Sequence, residues 1–589
     1  MLPLLTSASM YSHRVVATVI AINLTACARA PAPETGASPQ ATRFDVVISN
    51  GRVIDGTGSA WFYGDIGIRG DRIERITPAG LLADARAARR IDARGMVVAP
   101  GFIDIQSHSR DSFLSGDGRI VSKVTQGITT EIMGEGWSNA PANELTAAAS
   151  GSVDPEAARL DASFRGPNGF DAWLRAMERH GASANIGSFV GHTTVRMYAK
   201  GMSQGPASPA ELDTMRAVMR DAMRGGAFGL ASALIYPPGN FASTDEIVEV
   251  SKAMAPYGGI YITHMRSEAD QYLEAIDEAI EIGRRADVPV EIYHLKAAGK
   301  RNWGKAAPAV AKIDSARAAG QDVSADMYAY VAGGTGLAAC FPPWASADGK
   351  LLDNLKDPST LAKIRAEVLA DRTSWENLCQ LATPEGVMVV GFTLEANKSF
   401  DGKRLSEIAA ARGKEWVDVL IDLTIEEKGR LGMLVFMMSE ENVAMQMRQP
   451  WMKFGTDAGG IDPDSAKELT HPRAYGNFPR ILGKYVRDEK VMPLEEAIRK
   501  MSSAVATRLS IHDRGVLKPG MYADIVVFDP ATIADRATYE KPHQLSTGVR
   551  HVLVNGVAVV SDSKHTGAKP GRAIRGAGWG MEQGAGSKD

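Results

Sequence analysis

Six side chains in this sequence stand where short apolar runs end, and their types suit a metal ion with a proton carrier beside it. The runs 260–263 and 288–293 lead into His264 and His294. Imidazoles on neighbouring strand ends are what a metal site requires. The run 128–133 leads into Gly134-Glu135-Gly136, a carboxylate between two residues that let the backbone turn sharply. Residues 97–105 lead into Gln106 and His108, which a strand of period two aims to the same side. The amide oxygen of Gln106 is a poorer zinc ligand than imidazole, so a second ion position is incompletely furnished. The run 452–456 ends at Asp457, placed to handle protons beside a metal-activated water. Taken singly, a histidine more often serves as scaffold and an Asp after a strand more often caps a helix. The case is joint and depends on what brings the six together.

A closed barrel does so. Eight short apolar runs, at 97–105, 128–133, 184–190, 228–235, 260–263, 288–293, 323–327 and 452–456, alternate with amphipathic helical stretches. This pattern predicts an α/β fold, a (β/α)₈ barrel with its chemistry at the C-terminal strand ends. The long gap before the eighth run predicts an inserted subdomain at about 331–450, over the active-site face. Strand-turn-strand patterns recur near both chain ends: at 44–54 around Asn50-Gly51, 65–76 around Gly70-Asp71, 515–528, and 549–560 around Asn555-Gly556. They predict one small β-sandwich built from 44–97 and 515–562, a barrel domain at 98–514, and a tail at 563–589, glycine-rich from Gly571.

The 589 residues are 44% hydrophobic and 23% charged, enough for a large core. A net charge of -3 supplies no basic field for nucleic acid, which is excluded as an expected partner. Of three cysteines, Cys27, Cys340 and Cys379, one falls in a targeting segment, so no disulfide framework is inferred. His13 and Arg14, an apolar run at 15–22 and Leu24-Thr25-Ala26-Cys27 resemble a lipoprotein signal. Residues 1–27 are therefore expected to be a signal peptide with lipidation at Cys27, and 28–43 a flexible tether. The expected location is exported and periplasmic, with membrane contact only through the lipid anchor.

Further motifs are Val190-Gly-His-Thr-Thr-Val-Arg196, the stretch Asn397-Lys-Ser-Phe-Asp-Gly-Lys-Arg-Leu-Ser-Glu-Ile408, Met438-Ser-Glu-Glu-Asn-Val443 and His471-Pro-Arg-Ala-Tyr-Gly-Asn-Phe-Pro-Arg480. With the strand ends, they make residues 44–562 resemble the N-acyl-D-amino-acid deacylases (D-aminoacylases) of the amidohydrolase superfamily. The resemblance implies hydrolysis of the amide bond of N-acyl-D-amino acids. It implies one tightly held zinc, or manganese, on His264, His294 and Glu135, which replaces the family's thiolate. His108, Gln106 and Asp457 would face a weaker second position, and Asp457 would carry the proton. Tyr236, Lys296 and Arg473 map onto the residues that hold the substrate carboxylate, with His192 in a supporting place. The expected partner is a small N-acyl amino acid or a dipeptide. A dipeptidase or other amidase is the alternative among enzymes, and a binding protein on a decayed fold the alternative outside them. Cyclic-amide hydrolases are set aside because the metal-bridging lysine of their fourth strand has no counterpart.

Overall fold

The computed structural model describes residues 43–150 and 155–581. The expected signal peptide with Cys27, the tether through residue 42 and the last eight residues lie outside the described residues. Eight parallel strands form the closed barrel. In order they are Phe102–Asp104, Ile128–Met133, Asn185–Ser188 continued by Val190–Gly191, Gly229–Ala233, Ile260–His264, Val290–Ile292, Val323–Met327 and Met452–Phe454. These runs are short and wholly buried, as strands covered by helices outside and filled by side chains inside must be. The third strand joins the two halves of the wall, since 185–188 pairs with the second strand and 190–191 with the fourth.

The ring closes between the eighth strand and the first. Asp457 N–H donates to Gln106 O at 2.8 Å and His108 N–H to Ala458 O at 3.1 Å. Behind this seam, Thr456 N–H and Oγ1 donate to Asp104 at 2.8 and 2.6 Å. Lys123, wholly buried, donates to Asp104 Oδ2 and Thr456 Oγ1 at 2.7 Å each and pairs with Glu131 at 3.2 Å. One ammonium thus fastens the first, second and eighth strands.

The helices between strands follow from their apolar stripes and caps. Pro209–Arg224 starts on Ser208, whose side chain accepts the Glu211 N–H while Glu211 reaches back to the Ser208 N–H. It buries Met215, Val218, Met219, Ala222 and Met223, one face at helical spacing. Among the described residues no helix is long and apolar enough to cross a membrane.

Both chain ends build the small domain, which by hydrogen bonding is one nine-stranded sheet. Three local expectations are corrected. Asn50-Gly51 is a bulge inside the single strand Arg43–Val53, with Asn50 at φ 63° and its N–H held by Asp65, so no hairpin turns there. The run 97–105 is two strands: Val97–Pro100 pairs into the small sheet and only Phe102–Asp104 into the barrel, so the boundary falls at Gly101. A Cβ on Gly101 would stand 2.2 Å from Thr129, which is why the crossing needs glycine. In 515–528 only Ile525–Phe528 is a strand.

The tail is also structured where it is described. Lys564–His565 adds a strand, and Gly571, Ile574 and Gly576 donate backbone N–H groups to Ala182, Ile186 and Gly226 on the barrel. Its glycines permit that close approach, since a Cβ on Gly571 would lie 1.9 Å from the Ala184 carbonyl oxygen.

Between the seventh and eighth barrel strands, Ala332–Gly336, Val387–Val390 and Gly432–Phe436 form an antiparallel sheet with helices packed around a separate apolar core. Cys340 and Cys379 are joined by a disulfide within this insertion, a pairing that the cysteine count did not allow to be inferred. Sequence counting omitted the pair because 39 positions separate them and nothing local links them.

Replacing Lys123 with Ala leaves Asp104 and Glu131 as uncompensated buried carboxylates, a change of about 3–5 kcal/mol. Urea unfolding of Lys123→Ala against the parent is expected to show that loss, and an unchanged midpoint would refute the fastening role.

Candidate metal and catalytic site

The barrel mouth and one face of the insertion enclose a cavity of about 360 Å³. Glu135, His264 and His294 meet there. Glu135 Oε1 lies 3.2 Å from His264 Nδ1 and 3.3 Å from His294 Nε2, so two ring nitrogens and one oxygen surround a single point. Each stands where the backbone forces it. Gly134 and Gly136 have φ of 112° and 61°, and a Cβ on Gly134 would meet the Phe189 carbonyl oxygen at 2.3 Å. His264 ends the fifth strand, two and four residues beyond Ile262 and Ile260 of the barrel-filling core. His294 has φ 33° and Asp457 φ 50°, left-handed conformations that cost a side-chain-bearing residue about 1–3 kcal/mol and cluster at functional sites. Asp326 holds His294 in that conformation by accepting its N–H at 2.9 Å.

Beside this trio, His108, Glu135 and Asp457 form a second group. His108 Nε2 is 3.4 Å from Glu135 Oε2 and 2.9 Å from Asp457 Oδ1. Gln106 donates from Nε2 to Glu135 Oε2 at 2.5 Å, so its amide holds the carboxylate through hydrogen, while its buried Oε1 accepts no hydrogen bond among the described residues.

The buried charges come in committed pairs. Lys296 Nζ donates to Glu268 Oε1 at 2.6 Å, and Arg473 Nη1 lies 2.9 Å from Asp457 Oδ2. Burial alone would raise Asp457; Arg473 foremost brings it below the ordinary aspartate value. Glu135 is different, because the ion pairs it makes among the described residues are all with imidazoles. Burial pushes its carboxyl up, but His294, then His108 and His264, hold it well below the usual range. A buried carboxylate facing three imidazoles has the donor chemistry of a divalent ion with nitrogen and oxygen ligands, so the residues present fit a metal. Glu268 also reaches His294 Nδ1 at 2.9 Å, on the ring edge away from Glu135, where a ligand histidine commonly finds its orienting carboxylate.

Of the expected substrate residues, Tyr236 and Lys296 line the cavity, with Tyr236 Oη bonded to Thr335 Oγ1 at 2.8 Å. Two do not. Arg473 sits behind Asp457, over the Tyr328 ring, with Nη2 donating to the Gly334 carbonyl and its buried Nε without a hydrogen-bond partner among the described residues. His192 is fully buried off the cavity beside Glu246 and Arg196, and burial lowers its pKa to about 4. Sequence reading missed Glu268, although it follows His264 by only four positions, and missed Glu376, which no periodicity marks.

A closed parallel barrel with histidines and carboxylates gathered at its C-terminal strand ends is the architecture of the metal-dependent amidohydrolases. The amidohydrolase family matches residues 446–560. Over 534 residues the chain is 37% identical to the D-aminoacylase of Alcaligenes xylosoxydans xylosoxydans, covering 90% of this chain and 97% of that one. It is 34% identical over 537 residues to an N-acyl-D-glutamate deacylase from the same organism, covering 90% and 97%. The structure of the Bordetella bronchiseptica N-acyl-D-glutamate deacylase, solved with zinc and a phosphonate inhibitor that mimics the tetrahedral intermediate, superposes with a TM-score of 0.74 at 30% identity. That match covers 91% of this chain and all of the other. The chain belongs to the D-aminoacylase family of amidohydrolases.

Glu135→Ala removes the one oxygen shared by both ligand histidines. Elemental analysis of that variant is expected to show loss of most bound divalent ion, with circular dichroism unchanged; full metal occupancy would exclude Glu135 from the set.

Proposed function

We propose that this chain hydrolyses the amide bond of N-acyl-D-amino acids, releasing a carboxylic acid and a free D-amino acid. The observation that carries the reading is Asp457, ionised and clamped between His108 and Arg473, at the edge of the Glu135, His264 and His294 group in one cavity. The D preference rests on the relatives, which act on N-acyl-D-amino acids. Zinc is the ion this nitrogen and oxygen set suits best, with manganese the alternative. Held by Glu135, His264 and His294, the ion would supply Lewis-acid polarisation of the scissile carbonyl and acidify a water.

The chain's own groups do the rest. Asp457 accepts the proton of the attacking water and returns it to the leaving amine. Arg473 keeps Asp457 ionised and aimed. Lys296 and the Tyr236 hydroxyl, both facing the cavity, bind the substrate carboxylate and so fix which face of the amide meets the water. Glu268 holds Lys296 and the His294 ring together.

We further propose that the enzyme is exported and lipid-anchored through Cys27. The signal-like segment supports this reading, and so does the pairing of Cys340 with Cys379, since such bonds persist in oxidising compartments.

A panel of N-acetyl-D- and L-amino acids and dipeptides, given to the chain from Arg43 onward with zinc or manganese, tests the activity. Turnover confined to dipeptides would replace the deacylase with a dipeptidase. Asp457→Asn is expected to lower kcat by about 10²–10⁴-fold with metal content retained; a fully active variant removes Asp457 from proton transfer. The acid limb of the rate profile reports Asp457, which must be ionised to act. Arg473 lowers its pKa, so Arg473→Met should move that limb to higher pH by about one unit or more. A limb that stays in place or moves down would contradict the pairing.

A further inference from the structure

This inference rests on the deacylase reading and concerns the substrate side chain, which the relatives leave open because their preferences differ at nearly equal identity. Away from the ligand group the cavity wall is mostly apolar, with Ile235, Leu378, Val435 and Met437 facing inward. Among the described residues Lys296 is the only lysine or arginine lining it, and Glu268 already holds its ammonium. A substrate α-carboxylate engages that one cation. Among the described residues no second lysine or arginine lines the wall to meet a second anion.

The insertion adds a negative group at the same place. Glu376 lines the cavity while only 9% exposed. Its Oε2 accepts the Glu268 N–H at 2.5 Å, whereas its buried Oε1 accepts no hydrogen bond among the described residues. Burial, then the charge of Glu268, pushes this carboxyl up to about 7, a sign that the site already resists negative charge.

We propose that Glu376 is a specificity-determining residue that turns away anionic side chains, so that the enzyme takes N-acyl-D-amino acids with uncharged side chains. An acidic side chain would place a second carboxylate near Glu376 and Glu268 in a cavity whose one lining lysine is already held by Glu268. Like charges brought together out of water disfavour the complex, and selection by an unmatched charge is as effective as selection by added contacts.

The zinc-loaded enzyme is assayed at pH 8.5, where Glu376 is ionised, on N-acetyl-D-leucine, -D-methionine, -D-glutamate and -D-aspartate. The neutral pair should exceed the acidic pair in kcat/KM by about tenfold or more, and Glu376→Gln should narrow that ratio by about tenfold, mainly through the KM of the acidic substrates. Preference for the acidic pair in the parent, or an unmoved ratio in Glu376→Gln, overturns the proposal while leaving the deacylase reading intact. Absence of turnover on all four overturns both. Should Glu376→Gln fail to fold, inhibition of N-acetyl-D-leucine turnover by N-acetyl-D-glutamate in the parent measures the same exclusion. An inhibition constant near the KM of N-acetyl-D-leucine would then refute it.

Discussion

The seam between the eighth barrel strand and the first is the contact on which the site depends. It joins residues about 350 positions apart, and at its core one buried ammonium, Lys123, compensates the carboxylates of Asp104 and Glu131. The same backbone exchange that closes the ring, Asp457 to Gln106 and His108 to Ala458, sets Asp457, Gln106 and His108 side by side. Glu135 enters from the second strand and the two histidines from the fifth and sixth, so each group's distance from the others is set by a rigid wall. Closure and catalysis share one piece of geometry, because misregister at the seam would displace the proton carrier from the donors.

Charge pairing then divides the labour within the cavity. Lys296 is taken by Glu268 and Arg473 by Asp457, leaving Glu135 among imidazoles. A buried carboxylate with only neutral or titrating partners is costly unless a cation joins it. The arrangement therefore localises the need for positive charge at the point where two ring nitrogens already converge. Gln106 reinforces this by donating to the other carboxylate oxygen, the one that faces His108.

Much of this was legible in the chain itself. The strands were readable because short, fully buried runs leave a continuous apolar signal, and the ligands because each follows such a run directly. The boundary at Gly101 was not, because two strands of different sheets abut with a single glycine between them and give one unbroken apolar stretch. Asn50-Gly51 has the composition of a hairpin turn but serves a bulge, since long-range pairing on both sides of Arg43–Val53 overrides the local preference. The ion pair of Arg473 with Asp457 is set by the fold of the intervening loop, which no spacing encodes. Glu376 and the cysteine pair lie in the insertion, whose contacts run between segments of irregular sequence.

The small sheet has a temporal consequence. Its first strands are made within the first hundred residues, but four of its nine strands come from residues 525–565. Chains are synthesised from the N-terminus, and early segments ordinarily fold first. Here the five early strands pair among themselves, but Val97–Pro100 keeps one edge open until Ile525–Phe528 has been made. Completion of this sheet is therefore a late event of synthesis, and a chain released short of its last strands leaves that edge without its native partner.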